Sequence, residues 1–298
     1  MAMKLWHPVL GGMVGRMGRP LNNAAIAALA AVALVATGCA DMPNEELQST
    51  ASLTAEPSKP GQGTPSSNML RLAGELEAKG SVATAIPLYE RAAAEPQADI
   101  SVHVRLGDAY AKIDRFAEAE AAYRTALAKQ TDYGPALLGL GGVLVRSGKG
   151  EEGLATLAKA APIVNKATAY DRLGVAHIVL GQPREALASF EQAHSMAPGD
   201  VDIATNLALA SALSGQHDKA VALAKRIGAV DKLQEYHRRN LILVLGIAGQ
   251  TDDAKLIAAD TLDSGTVAQL LKRGRDLRKI ASPKARALAL GTVTATTP

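Results

Sequence analysis

Residues Ala167–Asp200, ATAYDRLGVAHIVLGQPREALASFEQAHSMAPGD, read as two helices joined by a short turn. Gly174 and Ala186 stand at positions 8 and 20 of this 34-residue unit, where small side chains would let two antiparallel helices approach closely. Phe190, at position 24, is large enough to fill the remaining gap between them. Gly181 ends the first predicted helix because glycine readily adopts the left-handed conformation of a helix C-cap. The stretch therefore predicts a helix–turn–helix hairpin.

The same spacing recurs on both sides of this hairpin, which makes the chain a repeat array. Successive units begin at Ser66, Ile100, Gly134, Ala167, Val201 and Glu235, and the third unit is one residue short. Position 15 is glycine in five units and Asp114 in the remaining one; the glycines are Gly80, Gly148, Gly181, Gly215 and Gly249. This pattern resembles the tetratricopeptide repeat. The resemblance implies an all-α superhelical solenoid of about six units, each burying its apolar face against its neighbours.

The composition supports helices over strands. Hydrophobic residues make up 48% of the 298 residues but aromatic residues only 3%, with abundant alanine, whereas a β-sandwich favours Val, Ile and aromatic side chains. We predict that the repeat array spans residues 66–263 and that residues 264–298 form a C-terminal capping helix and a frayed tail. The capping helix would present a basic face, either solvated or facing acidic lipid or an acidic partner. Its members are Lys272, Arg273, Arg275, Arg278 and Lys279.

The net charge gives no sign of a nucleic-acid partner. The formal charge is +3, but residues 1–38 contain three basic residues and no acid, so the rest of the chain is balanced at 29 basic and 29 acidic residues. A balanced chain has no basic surplus with which to attract a polyanion. We therefore expect no nucleic-acid binding.

Residues 1–38 read as a bacterial lipoprotein signal peptide. Basic residues precede the apolar run Ala24–Val35, which is short for a membrane span but suits a signal peptide. The small residues Ala36-Thr37-Gly38 then precede Cys39, the only cysteine of the chain. This arrangement resembles the lipobox, which implies lipid attachment to Cys39, although Ala36 replaces the usual leucine. A transmembrane anchor or an ordinary secretory signal is the alternative interpretation.

The following segment, 39–65, is rich in Pro, Ser, Thr, Gly and Gln and has few large apolar residues. Such a composition cannot bury enough surface to offset the entropy of ordering, so we predict a flexible tether. Ala40 follows the cysteine where an aspartate would favour retention in the inner membrane. By resemblance to bacterial sorting rules, this favours a lipid-anchored protein on the periplasmic face of the outer membrane.

No catalytic, cofactor or metal motif emerges from the sequence. None of the six histidines forms an HExxH motif or another close metal pair, and a lone cysteine cannot build a cysteine-based metal cluster. The glycine-rich run at 139–142 falls inside a predicted helix and lacks the last glycine of a dinucleotide fingerprint. We therefore expect a protein that is not an enzyme and needs no cofactor or metal.

The tetratricopeptide resemblance also implies which residues face a partner. In such repeats, positions 2, 5, 9, 12 and 13 of the first helix tend to line the concave surface. An apolar stripe rimmed by charges there suits a helix or an extended peptide, but neighbouring helices could instead cover it. The predicted groove residues are Val104, Asp108, Lys112, Leu138, Val145, Arg146, Asp171, Val175, Ile178, Val179, Leu209 and Leu213.

The layout as a whole resembles the TadD-type lipoproteins of tight-adherence (Flp) pilus systems, over about residues 20–265. The specific likeness lies in NLILVLGIAGQTDDAK at 240–255, which is similar to that family's last repeat, although its motifs are mostly those of the repeat itself. The resemblance implies a role in pilus or secretin assembly, as a pilotin-like scaffold that binds a secretin or another pilus component. The alternative is a lipoprotein that recruits enzymes of cell-wall or outer-membrane maintenance.

Overall fold

The computed structural model describes residues 65–231, 233–258 and 261–292, and all regular structure within these ranges is α-helical. The predicted all-α class is therefore confirmed. The helices are α1 (Pro65–Ala78), α2 (Val82–Ala93), α3 (Ile100–Lys112), α4 (Phe116–Lys129), α5 (Gly134–Arg146), α6 (Gly150–Val164), α7 (Ala167–Val179), α8 (Pro183–Met196), α9 (Val201–Leu213), α10 (His217–Gly228), α11 (Glu235–Ala248), α12 (Thr251–Ala258), α13 (Ser264–Lys279) and α14 (Pro283–Thr292).

The turn inside each hairpin follows from the residue at position 15. Gly181 has φ +70°, and its N–H donates to the carbonyl of Ile178 at 2.9 Å, while the Gln182 N–H donates to the carbonyl of His177 at 2.8 Å. These two bonds satisfy carbonyls that the end of α7 leaves open. The other units share the positive φ, with values of 78°, 85°, 86° and 84° at their glycines and 60° at Asp114.

The small and large positions pack against each other as the repeat spacing predicts. A Cβ atom on Gly174 would lie 2.6 Å from the ring of Phe190, so only glycine lets α7 and α8 come this close. The same exclusion joins Gly107 to Tyr123, at 2.7 Å. Ala186, at position 20, is fully buried. These two hairpins are thus each held by one large side chain against one small one.

The first helices of the hairpins form the inner layer of the array. Consecutive first helices contact one another from α3 through α5, α7 and α9 to α11. Among the second helices of the described ranges, contact of comparable extent occurs only between α10 and α12. Because the inner circumference of a superhelix is shorter, the face on which helices of successive units meet is the concave one.

The carboxyl-terminal end departs from this regular pattern. α13 packs along α11 so closely that a Cβ on Gly274 would lie 2.6 Å from the carbonyl carbon of Gly246. The guanidinium of Arg278 donates to the carbonyl of Ala248 at 2.7 Å. α13 therefore covers the last regular hairpin as a cap does.

α14 is a helix that the sequence analysis does not anticipate. It does not pair with α13 as a hairpin but folds back to contact α7, α8 and α9. Arg286 donates to the carbonyls of Ala212 and Leu213 at 3.3 and 2.9 Å, more than 70 residues upstream. The chain thus closes back on its own fourth and fifth units.

Most of the basic face predicted on the capping helix is exposed, although three of its side chains form bonds within the fold. Arg273 donates to the carbonyl of Leu290 at 2.6 Å, and Lys279 pairs with Asp276 at 2.8 Å. Together with Arg278 these side chains satisfy carbonyls and a carboxylate of the fold, and helix C-termini favour such cations. Lys272, Arg275, Arg278 and Lys279 are all exposed and only Arg273 is half-buried, so the face is mainly a solvated one.

The predicted signal peptide, Cys39 and all of the tether except its last residue lie outside the described residues. Pro65, at the end of the predicted tether, is the first residue of α1. Within the described ranges, no helix combines the length and the apolar character needed to cross a bilayer.

Candidate partner-binding groove

The predicted groove residues separate into an accessible and a buried group. The accessible ones lie mostly on α3 and α5: Asp108 and Lys112 are exposed, and Leu138, Arg146 and Val179 are half-buried. The remaining seven are buried, and most of them lie on α5, α7 and α9: Val104, Val145, Asp171, Val175, Ile178, Leu209 and Leu213. We call the inner surface of α1, α3 and α5 the open half and that of α7, α9 and α11 the closed half.

Asp108 forms the floor of the open half. Its carboxylate accepts a hydrogen bond of 2.5 Å from the hydroxyl of Tyr123, which reaches through from α4. Partial desolvation raises the pKa of Asp108, against the bond from Tyr123 and the attraction of Arg172 and Lys112, which lower it. The groove therefore offers a positioned acceptor beside two cations.

There is unfilled space on either side of this carboxylate. Gly74 and Gly142 occupy the same position 9 in the first and third units that Asp108 occupies in the second. A Cβ at either glycine would meet nothing within 4 Å. The floor of the open half thus has room for side chains from outside the fold.

Charges of both signs stand around this floor. Lys112 pairs with Glu77 of the preceding unit, and Glu77 also accepts a bond of 2.7 Å from Tyr89. Arg105 is exposed on α3. Arg172 is exposed on α7, with its guanidinium 3.5 Å from the Leu138 carbonyl. A partner with both acidic and basic side chains would find counter-charges here.

Arg146 is held in place at the far edge of the open half. Its guanidinium lies 4.7 Å from the ring centre of Phe116 and donates to the carbonyl of Ala111 at 3.1 Å and to Asp114 at 2.5 Å. A cation over an aromatic face and against a helix C-terminus is stabilised by both. Arg146 therefore joins neighbouring units as well as bordering the groove.

The closed half is filled by the protein itself. Val175, Ile178, Leu209 and Leu213 belong to one continuous hydrophobic core that also includes Ala287 and Leu290 of α14. Leu213 also supplies one of the carbonyls bound by Arg286. In the closed half, neighbouring helices therefore cover the predicted groove residues, as the alternative interpretation of the apolar stripe expects.

Asp171 is a buried carboxylate within the closed half. It is 7% exposed and accepts a hydrogen bond of 2.7 Å from the side-chain amide of Asn206 on α9. Desolvation raises the pKa of Asp171 to about 6, despite the bond from Asn206, and the nearby carboxylates of Asp200 and Asp202 act in the same direction. Asp171 links two first helices and is not open to a partner.

Comparisons with known proteins agree with this architecture. The family model described as the middle TPR-like domain of cilia and flagella-associated protein 70 matches residues 69–193, and the tetratricopeptide repeat model matches residues 180–239. The fold is a tetratricopeptide-repeat solenoid. A search of curated protein sequences gives no significant match.

Several solved structures share the tetratricopeptide solenoid. PilW, described as a widely conserved type IV pilus biogenesis factor, is 20% identical, with a TM-score of 0.62 over 70% of this chain and 100% of its own. Pseudomonas aeruginosa pilF is 16% identical, with a TM-score of 0.55 over 64% and 88%. YrrB, described as having an unusual peptide-binding site, is 18% identical, with a TM-score of 0.50 over 63% and 97%. At these identities, the likeness establishes the fold alone.

The sequence analysis missed three groove residues of the tetratricopeptide solenoid: Tyr123, Arg172 and Asn206. Tyr123 stands at position 24 and is recognised there only as a packing residue, although its hydroxyl reaches the groove. A usable signal for Asn206 is the spacing of polar pairs about one repeat apart. Asp171 and Asn206 are 35 residues apart, as are Glu77 and Lys112.

Two histidines of the solenoid, His177 and His237, have structural hydrogen-bond partners. Nδ1 of His177 lies 2.7 Å from the side-chain oxygen of Gln182, and Nε2 of His237 lies 2.8 Å from a carboxylate oxygen of Asp202. The described residues contain no group of three or more His, Cys, Asp or Glu placed to hold a metal ion.

Proposed function

We propose that this chain is a non-enzymatic protein-binding scaffold, anchored through a lipid on Cys39 to the periplasmic face of the outer membrane. Its role would be to assist assembly of a tight-adherence (Flp) pilus or its secretin, in the manner of a pilotin. The observation that carries the binding role is the open half of the groove. There a recessed carboxylate, two empty glycine positions and mixed charges lie on the inner face of a tetratricopeptide solenoid.

The chemistry of the open half suits a helix or an extended peptide. Asp108 can accept a hydrogen bond or a cation from a partner, while Lys112 and Arg172 can meet its carboxylates. The half-buried Leu138 adds an apolar contact beside them. A groove of this kind gains specificity from where the charges stand rather than from total area.

The assignment to a pilus draws on two kinds of support. The sequence at 240–255 resembles the last repeat of the TadD-type lipoproteins. One protein with the same fold, PilW, is described as a type IV pilus biogenesis factor. Together these favour a pilus or secretin subunit as the partner over an enzyme of envelope maintenance.

The binding surface is tested by reversing its cations. The variant Lys112→Glu with Arg172→Glu should lose the partner in a crosslinked pull-down from the native envelope, because two exposed cations that flank Asp108 are inverted. The matched control is Arg91→Glu with Arg184→Glu, two exposed arginines on the second helices α2 and α8. Circular dichroism of both variants checks that the array remains folded.

The identity of the captured protein decides between the two roles. Mass spectrometry should identify a secretin or another pilus component from the wild type and the control variant. Recovery of cell-wall or outer-membrane maintenance enzymes instead would favour the alternative role. Capture that survives the groove variant unchanged would place the binding surface elsewhere.

The anchor is tested separately. Cys39→Ser should abolish incorporation of a radioactive fatty acid and release the protein from the membrane fraction, because diacylation makes anchoring stable. Labelling that persists in this variant would contradict lipid attachment at Cys39.

A further inference from the structure

α14 is not part of a repeat but packs as an additional helix on the surface of the array. The helices α1–α12 form six hairpins, and α13 packs on α11, but α14 lies across α7, α8 and α9. It covers the end of the hairpins where their turns lie. Leu288 and Lys284 stand over Gly181 so closely that a Cβ there would lie 2.8 Å from the Leu288 side chain.

The contact made by α14 is narrow. Three of its side chains, Arg286, Ala287 and Leu290, are 6% or less exposed, while Leu288 is 42% exposed. Of these three buried side chains only Ala287 and Leu290 are apolar, and the alanine side chain is small. Such a footprint is small beside a hairpin interface such as that of α7 and α8, where Phe190 packs on Gly174.

The polar contact between α14 and the array is made by one guanidinium, while a second one, of Arg273, donates to the carbonyl of Leu290 and joins α14 to α13. Arg286 donates to the carbonyls of Leu213 and Ala212 at the end of α9 and, within its own segment, to the carbonyl of Ile280. Helix C-termini attract cations because their last carbonyls lack partners within the helix. Among the described residues, no carboxylate pairs with Arg286, so its charge is met by backbone dipoles alone.

The connection to α13 permits α14 to leave. Ile280 is extended, with φ −77° and ψ 110°, and Pro283 begins the helix after a three-residue link. α14 has 10 residues, and an isolated helix of that length is marginal in water. Undocked, α14 would therefore lose its helical structure and expose the carbonyls at the end of α9 beside an apolar patch.

We propose that the surface formed by α7, α8 and the end of α9 is a helix-docking site, and that α14 is its built-in competitor. The partner is a short alanine- and leucine-rich helix with an arginine, an apolar residue next to it and a leucine four positions on, as in Arg286, Ala287 and Leu290. The inference rests on the proposed partner-binding function and adds regulation to it. The tethered α14 competes at an effective concentration in the millimolar range, so a partner binds by displacing it.

A synthetic peptide with the sequence of residues 280–292 serves as the probe. The full chain carrying Leu290→Asp releases α14, because it places a charge at a buried position. Fluorescence anisotropy should give binding of the labelled peptide at least tenfold tighter to this variant than to the wild type. The matched control is Ala285→Asp at an exposed position of α14, which should behave as the wild type does.

A second peptide tests the chemistry of the site. The same peptide with the Arg286→Ala change should bind the Leu290→Asp chain at least tenfold more weakly, because the carbonyls at the end of α9 then lose their cation. Equal binding of the first peptide to the wild type and to Leu290→Asp would overturn the proposal. So would absence of binding to a Leu290→Asp chain whose circular dichroism matches a folded array.

Hydrogen exchange on the wild type keeps the proposal testable if Leu290→Asp fails to fold. The amides of α14 should exchange well before those of α7 and α9, since α14 undocks without unfolding the array. Exchange of all three at one common rate would overturn the proposal. These measurements use no envelope partner, so a failed pull-down with successful peptide exchange would count against the pilus role alone.

Discussion

The open and closed halves share one repeat framework but differ at one position of it. Position 9 of the first helix is Gly74, Asp108 and Gly142 in the open half, and Val175 and Leu209 in the closed half. Nothing in the fold fills the space at the two glycines, whereas the two apolar side chains are 6% exposed. The framework positions thus build the hairpins, and position 9 decides whether the inner surface stays open.

The two halves also differ in how the first helices are surrounded. Every residue from Ile203 to Leu213 in α9 and from Leu241 to Ala248 in α11 is buried, so these segments are covered on all sides. α3 instead keeps Arg105, Asp108 and Lys112 exposed on its inner side. A helix that is buried all round has no free face for a partner. While α14 is docked, the exposed inner surface and the most completely buried helices therefore lie in different halves of the chain.

The largest expected effect comes from the same substitution made at two places, on α13 where it packs against α11 of the closed half, and on α5 of the open half. Gly274→Ala should lower the free energy of unfolding by about 3 kcal/mol, because its Cβ would meet the backbone of Gly246, which cannot move aside. Gly142→Ala should raise that free energy by about 0.5–1 kcal/mol, because the space is empty and alanine favours helix. Urea denaturation followed by circular dichroism measures both. Shifts of the same sign would contradict the division into a filled and an open half.

The hairpins could be predicted from the sequence because their determinants are local. Gly174 and Phe190 lie 16 residues apart in one unit, and the positive φ of Gly181 serves a turn inside the same unit. Because the same spacing recurs in other units, each copy supports the prediction of a hairpin in the others. The open residues Asp108 and Lys112 were found in the same way, since their repeat positions face inward.

The closed half and α14 could not be predicted because their determinants are not local. Val175 and Leu213 satisfy the pattern of an apolar groove, but the pattern carries no information on what covers them. Arg286 binds carbonyls more than 70 residues away, a contact to which no spacing in the repeat points. The segment 283–292 is rich in alanine and lies beyond the last repeat, so its helix has no register from which to be inferred.

A buried carboxylate of the closed half should give the next largest effect. Asp171→Asn should raise the free energy of unfolding by about 2 kcal/mol at pH 7, because the neutral amide avoids ionisation in a desolvated site. Asp171 titrates at about 6 in the fold rather than at its ordinary 3.8, so its cost is absent below pH 3.8, grows up to about pH 6 and is constant above. Urea denaturation at pH 4 and pH 7 should therefore give a gain only at pH 7.

The open half supplies the control for this titration. Asp108 has the same direction of pKa shift, also from desolvation, but its side chain is open to water. Asp108→Asn should therefore change stability less than Asp171→Asn at pH 7. A larger gain at Asp108 would mean that its carboxylate is the more deeply desolvated of the two.

The smallest expected changes in the free energy of unfolding come from removing the side chains of two arginines, one buried and one exposed. Arg286→Ala should lower the free energy of unfolding by about 1 kcal/mol, because the carbonyls at the end of α9 lose a buried donor but α14 can undock. Arg124→Ala, on the outer face of the open half, removes exposed ion pairs with Glu120 and Glu152 and should cost less than about 0.5 kcal/mol. High salt should abolish the Arg124 effect and leave the Arg286 effect, because screening acts on exposed charges. If both effects disappear in salt, the contact of α14 is an exposed electrostatic one, and the closed half owes its closure to α11 and α13 instead.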